Sequence, residues 1–427
     1  MKRVLIISPY FPPSNSADSQ RVRMSLSYFK NFGWEAEVVC VDEKYADLPK
    51  DELLMQSIPA DIIIHQVKAF SKKYTSKFGL GSLALRSIWF YQKKVMLLLQ
   101  AKNYDLIYFS TTEFPLCVLG KYWKKRFGIP YIIDMQDAWH STYYQNKPKK
   151  ERPKKYWFSY RLHKYLEPLA MKNCDGLISV SAAYLDTLQQ RYPQLKQKPS
   201  AVIPFGAFAR DFEIAKLNIE KCPPFQLLSQ KINVVYVGRG GADLQFSVGL
   251  FFRSIKEALQ TEPEVFSQFE FYFIGTSYAP KAQAKLSIYP IAQKFEIENQ
   301  VAELTNRIGF YSTINTLLAA DALFLPGSND LEYSASKIYP YLLAEKPLLA
   351  LVNAESPAKN ILEEYGASNI YTYNEAIPFT IINFLRKLTS HNLRKEKYNS
   401  NTINKYSAKN MTFKQCLLFD KVLDRKA

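Results

Sequence analysis

The stretch Ala322–Val352, ALFLPGSNDLEYSASKIYPYLLAEKPLLALV, decides how this chain folds. Leu323–Leu325 and Leu348–Val352 are short apolar runs, separated by a polar loop and a helical pattern opening near Ser334–Lys337. Two buried strands flanking one helix make a βαβ unit in a parallel sheet. The loop carries Asp330 and Glu332, and the helix opens on Ser334, Ser336 and Lys337. Open amides at a helix N-terminus, with serine hydroxyls and an ammonium, suit a diphosphate. Carboxylates just upstream suit sugar hydroxyls, because an ionised carboxylate accepts hydrogen bonds strongly. A capped helix behind a solvated loop would use the same residues, so the place of the stretch in the chain has to decide.

Working outward, the same alternation recurs. Val4–Ser8 reads as a strand, followed by the loop YFPPSNSADSQ, a helix from about Arg21 to Phe32 closed by Gly33, and a strand Glu35–Val41. Leu106–Ser110, Tyr131–Met135, Gly176–Ser181 and Ala201–Phe205 continue the series, with helices between them, one of them ended by Gly128. A second series starts at Ile232–Gly238 and runs through Phe269–Gly275, a short strand at Arg307–Phe310, the opening stretch, and Asn369–Thr372. Regular strand–helix alternation predicts an α/β protein of two doubly wound, Rossmann-like parallel-sheet domains. The expected division is 1–207 for the first domain, 208–231 for a linker around Pro223-Pro224, and 232–404 for the second domain. An amphipathic helix over about 405–427 is expected to pack back on the first domain.

Bulk properties fit this division. At 427 residues one core is too few, and a hydrophobic fraction of 47% supports a well-packed globular chain. The start reads as no signal peptide, since VLII gives way at once to Ser8, Pro9 and Pro12-Pro13, and no window offers a membrane span. Cys40, Cys117, Cys174, Cys222 and Cys416 are scattered without metal-ligand spacing, which predicts reduced core thiols, no metal and a cytoplasmic location. Charge is lopsided: residues 1–200 hold 31 Lys+Arg against 17 Asp+Glu, the remainder 25 against 22. A basic first half points to an anionic partner there.

Four loops follow strands and are expected to line a cleft at the strand ends. The first, SPYFPPSNSADSQR, offers Ser16 and Arg21; the second, DMQDAWHSTYY, offers Asp134, Asp137 and His140. In the third, VGRGGAD, Gly238 and Gly240 permit close backbone approach and Arg239 supplies a guanidinium fork. Gly275 ends a neighbouring strand, and Asp330–Lys337 forms the fourth loop. Each has a plain alternative: a turn for GRGG, a helix cap for Asp137, an exposed loop residue for His140. Walker A, HExxH, GxSxG and GxGxxG patterns are all missing, which argues against P-loop kinases and NAD enzymes.

With these residues in view, the chain resembles the retaining glycosyltransferases of the GT-B fold, family 4. Within them it is most similar in look to the branch that makes bacterial capsules, O-antigens and related surface polysaccharides. ISPYFPPSNSADSQR resembles the acceptor-contacting opening loop, and IIDMQDAW the Asp-x-Arg-Asp-x-Trp segment. YVGR, FIG and LLAADALFLPGSND…SASKIYPYLLAEKPLLALV resemble the donor-binding domain. The resemblance implies transfer of a sugar from a nucleotide-sugar to a hydroxyl of a saccharide or lipid-linked acceptor, with retention and without a metal or other cofactor. Arg239 and Lys337, with the amides near Ser334–Ser336, would hold the diphosphate. Asp330 and Glu332 would hold sugar hydroxyls, while Asp137 or His140 would take the acceptor proton. Ser16, Arg21 and Asp134 would meet the acceptor.

The chain departs from the family pattern at several places. Pro340 stands where a second donor-site glutamate is usual, and Leu244 and Gln245 where a lysine is usual. Glu345 replaces a glycine before the last strand of the motif, Ser16 and Ala17 replace glycines, and Gln136 replaces the central arginine. These departures keep open an alternative: a sugar- or nucleotide-binding protein of the same fold with impaired turnover.

The run NKPKKERPKKYWFSY, Asn146–Tyr160, interleaves cations with aromatics. Single-strand nucleic-acid binders do the same. The run equally fits a peripheral contact with the inner face of a membrane, through Lys149, Lys150, Lys154 and Lys155 on lipid phosphates and Tyr156 and Trp157 at the headgroup boundary. A solvated loop is the plain alternative. With no nucleic-acid fold beside the patch, the membrane reading is preferred over nucleic acid.

Overall fold

The computed structural model describes residues 1–140, 145, 148–149, 152, 155–279, 281–329, 338–390 and 398–425. It divides into two compact units, Met1–Gly206 with Tyr406–Ala427, and Ala207–Lys405. Each is a doubly wound α/β layer with an all-parallel sheet.

The first unit carries β1 (Lys2–Ile7), β2 (Trp34–Val41), β3 (Ile63–Val67), β4 (Leu106–Ser110), β5 (Tyr131–Met135), β6 (Gly176–Ser179) and β7 (Ser200–Val202), ordered β3-β2-β1-β4-β5-β6-β7. Strand alternation explains why β1 is apolar throughout: Leu5 and Ile7 join one core, Val4 and Ile6 the other, so both faces are buried. The helix Leu83–Ala101 covers the first face through Tyr91, Val95 and Leu98. The helix Ser19–Leu26 and the C-terminal helix Ala408–Asp424 cover the second. Phe419 of that last helix is fully buried and meets Trp34 edge-on with ring centroids 5.3 Å apart. Truncating it to alanine would cost about 3–5 kcal/mol by cavity formation. Gly128 ends the helix Val118–Phe127 at φ 70, a left-handed cap that a side chain would strain.

The second unit carries β8 (Ile232–Val237), β9 (Phe269–Ile274), β10 (Val301–Leu304), β11 (Ala322–Pro326), β12 (Leu348–Val352) and β13 (Asn369–Thr372), ordered β10-β9-β8-β11-β12-β13. Phe251, Phe271, Phe273 and Phe324 form an aromatic cluster under this sheet, the Phe251 and Phe324 centroids only 4.1 Å apart.

The structure corrects the expected elements at three points. The segment 208–231 is not an open linker: Ala209–Leu217 is helical and packs in the second unit, where Asn315 donates to the carbonyls of Ala215 and Cys222. The strand expected at Arg307–Phe310 lies instead at Val301–Leu304, and Phe310 begins the helix Phe310–Ala319. The edge strand β3 adds a residue run that reads only as half-exposed, because an edge strand needs less apolar cover. All five cysteines are buried thiols outside any disulfide. Among the described residues no helix is long and apolar enough to cross a membrane.

Candidate active site

In each sheet the strand order reverses once, between β1 and β4 in the first unit and between β8 and β11 in the second. Ligands of open α/β sheets bind outside the strand C-termini at such a switch point. The loops after these four strands therefore frame the candidate site, each unit taken by itself.

In the second unit, the turn after β8 folds back on its neighbours through Gly238 N to Ile274 O at 2.9 Å and Gly240 N to Thr276 O at 2.7 Å. A Cβ on Gly240 would stand 2.0 Å from Ser287 Oγ and 3.2 Å from Thr276 O, so a side chain here would have to displace the Ser287 hydroxyl. Gly275 follows β9 and donates to Leu304 O at 2.7 Å. Arg239 is half-buried and meets Asp243 with two parallel bonds, Nη1–Oδ1 at 2.8 Å and Nη2–Oδ2 at 2.6 Å. Ser328, just past β11, donates to the same Asp243 Oδ2 at 2.6 Å, and the Asn329 amide to its carbonyl at 3.0 Å. Burial pushes the Asp243 carboxyl up, but the bonds from Arg239 and Ser328 outweigh it and hold it below its ordinary value. Tyr341, on the helix Ile338–Leu343, accepts from the Val237 amide at 2.8 Å and so pins that helix to the end of β8. Asp330, Glu332, Ser334, Ser336 and Lys337 lie outside the described residues.

In the first unit, the loop after β1 is tied to the loop after β4. Asp18 Oδ2 accepts from Thr111 Oγ1 at 3.3 Å, Thr112 N at 3.2 Å and Thr112 Oγ1 at 3.2 Å. Ser16 turns its hydroxyl inward onto Asp18 Oδ1. Asp18 is buried without a cation among these partners, and burial raises its carboxyl despite the four hydrogen bonds. Sequence reasoning missed Asp18, Thr111 and Thr112; the acidic residue opening a helix straight after a strand-end loop was the available signal.

Arg21 and Asp134 form a buried ion pair, Nε to Oδ2 at 2.7 Å, with side chains only 2% and 0% exposed. Arg21 also donates to Ile203 O at 2.6 Å and Pro204 O at 3.3 Å. Asp134 Oδ2 further accepts from Tyr108, Ser110 and Gln136 at 3.1, 3.0 and 3.0 Å. Gln136, standing where the family pattern has arginine, thus turns into this network, and Arg21 supplies the cation facing Asp134. The pair braces the ends of β5 and β7 from within the unit.

Asp137, two residues past β5, is exposed, and its Oδ1 accepts from the Ala138 amide at 2.7 Å. His140 is half-buried against Tyr160, ring centroids 4.6 Å apart, and its carbonyl accepts from Arg191 at 3.2 Å. Burial, then the charges of Arg191, Lys164 and His163, pushes the imidazole down to about 4, so it is neutral at pH 7. Lys149 is exposed, and Lys155 at φ 62 donates to Ser76 O at 2.6 Å. Tyr156 lies 5.6 Å from the Tyr160 ring, and Trp157 is 67% exposed. Lys150 and Lys154 lie outside the described residues. Among the described residues no three His, Cys, Asp or Glu side chains gather as a metal site.

Residues 26–207 match the Glycosyltransferase Family 4 domain. Solved structures of the GT-B fold superpose over the whole chain at low identity. The Candida albicans trehalose-6-phosphate phosphatase N-terminal domain gives a TM-score of 0.62 at 12% identity, covering 100% of this chain and 97% of that one. A glycosyltransferase from Rickettsia africae gives 0.58 at 12%, covering 99% and 98%. Anabaena HepE in complex with UDP gives 0.53 at 16%, covering 100% and 98%. No curated protein matches this sequence.

Proposed function

We propose that this protein is a glycosyltransferase that moves a sugar from a nucleotide-sugar donor to a hydroxyl of a saccharide or lipid-linked acceptor, with retention, in the assembly of a surface polysaccharide. One observation carries the reading: the second sheet's switch point is framed by a glycine turn bearing Arg239 and by a loop, tied to it through Asp243 and Ser328, that leads into Asp330–Lys337. Support comes from the family match over 26–207 and from the UDP held by Anabaena HepE.

As the glycosidic bond breaks, negative charge develops on the leaving diphosphate. Prealigned cations and amides stabilise such charge without reorganising. Arg239, Lys337 and the amides near Ser334–Ser336 take that role here, with no metal required. Asp330 and Glu332 hold the sugar. Asp137 takes the acceptor proton, which its exposure permits.

Purified protein should hydrolyse at least one nucleotide-sugar slowly, and Arg239→Ala or Lys337→Ala should weaken this. Hydrolysis should survive EDTA. A donor at 100 times its dissociation constant should stabilise the fold by about 2.7 kcal/mol. The absence of both hydrolysis and thermal stabilisation across a broad donor panel would sink the reading. Stabilisation without hydrolysis would favour the second reading, a binding protein without turnover, which the capture of the Arg239 fork by Asp243 supports.

A further inference from the structure

The first unit carries a surface in which two chain segments, far apart in sequence, present aromatic rings and cations together. Phe78, Trp157 and Tyr74 are 78%, 67% and 64% exposed. Three large rings this exposed are uncommon on segments that touch one another. Their segments are joined directly: Lys155 Nζ donates to Ser76 O at 2.6 Å, and the Phe158 ring packs over Gly79, 3.0 Å from where a Cβ would stand. Phe70, just before that run, is tied to the helix Leu83–Ala101 by its amide on Arg86 O at 3.0 Å, and its ring meets Phe90 at 4.9 Å, which in turn meets the exposed Trp89 at 5.0 Å.

Cations are set among the rings. Arg161 stacks over Trp157 at 4.1 Å and Lys93 over Trp89 at 5.7 Å, while Lys73 and Lys77 are exposed beside Tyr74 and Phe78. Rings with an apolar body, interleaved with flexible ammonium groups, match the headgroup boundary of a bilayer: rings enter the interface and cations meet lipid phosphates. The excess of cations in residues 1–200 gives that match its sign.

We propose that this surface, built from residues 70–93 together with 155–161, docks the protein on an anionic lipid bilayer. It does not depend on the sugar-transfer reading, and a lipid-linked acceptor is only one reason for it. Cations bring the protein to the membrane and the rings hold it there. Both segments belong to the first unit and the candidate donor residues to the second, so docking and donor hydrolysis are tested by separate substitutions.

Vesicle flotation decides it. The unmodified protein should float with phosphatidylcholine vesicles containing 30% phosphatidylglycerol, and at least tenfold less with pure phosphatidylcholine. Tyr74→Ser, Phe78→Ser and Trp157→Ser together should lose at least tenfold of that binding, with donor hydrolysis unchanged. Lys73→Gln, Lys77→Gln and Lys93→Gln together should abolish the preference for the anionic lipid. Brominated lipid should quench tryptophan fluorescence of the unmodified protein, a readout that needs no variant to fold. Absence of flotation and quenching, undiminished binding by the aromatic variant, or release from the anionic vesicles by an equal charge of single-stranded oligonucleotide would each overturn the proposal.

Discussion

Arg239 and Asp243 face each other as a two-pronged pair, with both guanidinium Nη atoms within 2.8 Å of a carboxylate oxygen. Asp243 therefore occupies the fork that a diphosphate would need, and also anchors Ser328 beside the loop after β11. Replacing Asp243 by asparagine keeps its shape and removes the competing charge. Asp243→Asn should tighten binding of the best nucleoside diphosphate by about tenfold, some 1.4 kcal/mol, and Arg239→Ala should weaken it by at least as much. Titration calorimetry checks both, and weaker binding by Asp243→Asn would show that the carboxylate positions the fork rather than competes for it. Because the folded carboxyl is held below its ordinary value, the pair's stabilisation is present above the ordinary carboxylate range and lost as pH falls through the folded value.

Proton uptake separates Asp137 from His140. Asp137→Asn should abolish most transfer and leave donor binding intact, since the proposed donor contacts lie in the other unit. Loss of donor binding too would assign Asp137 a structural role. His140, held near 4 against an ordinary 6.5, stays neutral through the physiological range and should put no inflection near pH 6.5 into the rate profile. The unfolded chain binds that proton more readily, so His140 makes stability fall as pH drops from 6.5 towards 4. Thermal melts of His140→Gln should show a shallower loss across that window.

The Arg21–Asp134 pair predicts a stability effect of another size. Removing one partner leaves a buried charge facing backbone and hydroxyl groups, which costs about 3–5 kcal/mol. Asp134→Ala should lower the unfolding free energy of the first unit by that amount, and its urea midpoint with it, in a titration followed through Trp34 and Trp123. Activity lost without any change in midpoint would mean that Asp134 meets the acceptor directly.

Glu345 adopts φ 51 between the helix Ile338–Leu343 and β12, a left-handed conformation that costs a side chain about 1 kcal/mol. Glu345→Gly should raise the second unit's stability by roughly that amount, measured by thermal melting. No gain would mean that Glu345 makes contacts which offset the strain.

The two parallel sheets were legible because apolar runs and helical spacing are local: Val4–Ile7, Val234–Val237 and Leu348–Val352 declare buried strands without reference to any partner. Glycines after helices declared their ends for the same reason. Edges were less legible. β3 is half-exposed, and the helix Ala209–Leu217 buries Phe212, Ile214 and Ala215, with Asn315, some hundred residues away, donating to the Ala215 carbonyl.

By itself, then, the sequence determined the α/β class, the existence of two sheets, and which strand-end loops carry the polar and charged residues. Only the tertiary structure decided which charges those residues keep. Arg21 is spent on Asp134, while Asp18, unremarkable in the sequence, is buried against Thr111 and Thr112. The reason is physical: periodicity is written within a few neighbouring residues, whereas ion pairing and desolvation depend on what the folded chain brings within 3 or 4 Å from the far side of a sheet, and no local pattern records that distance.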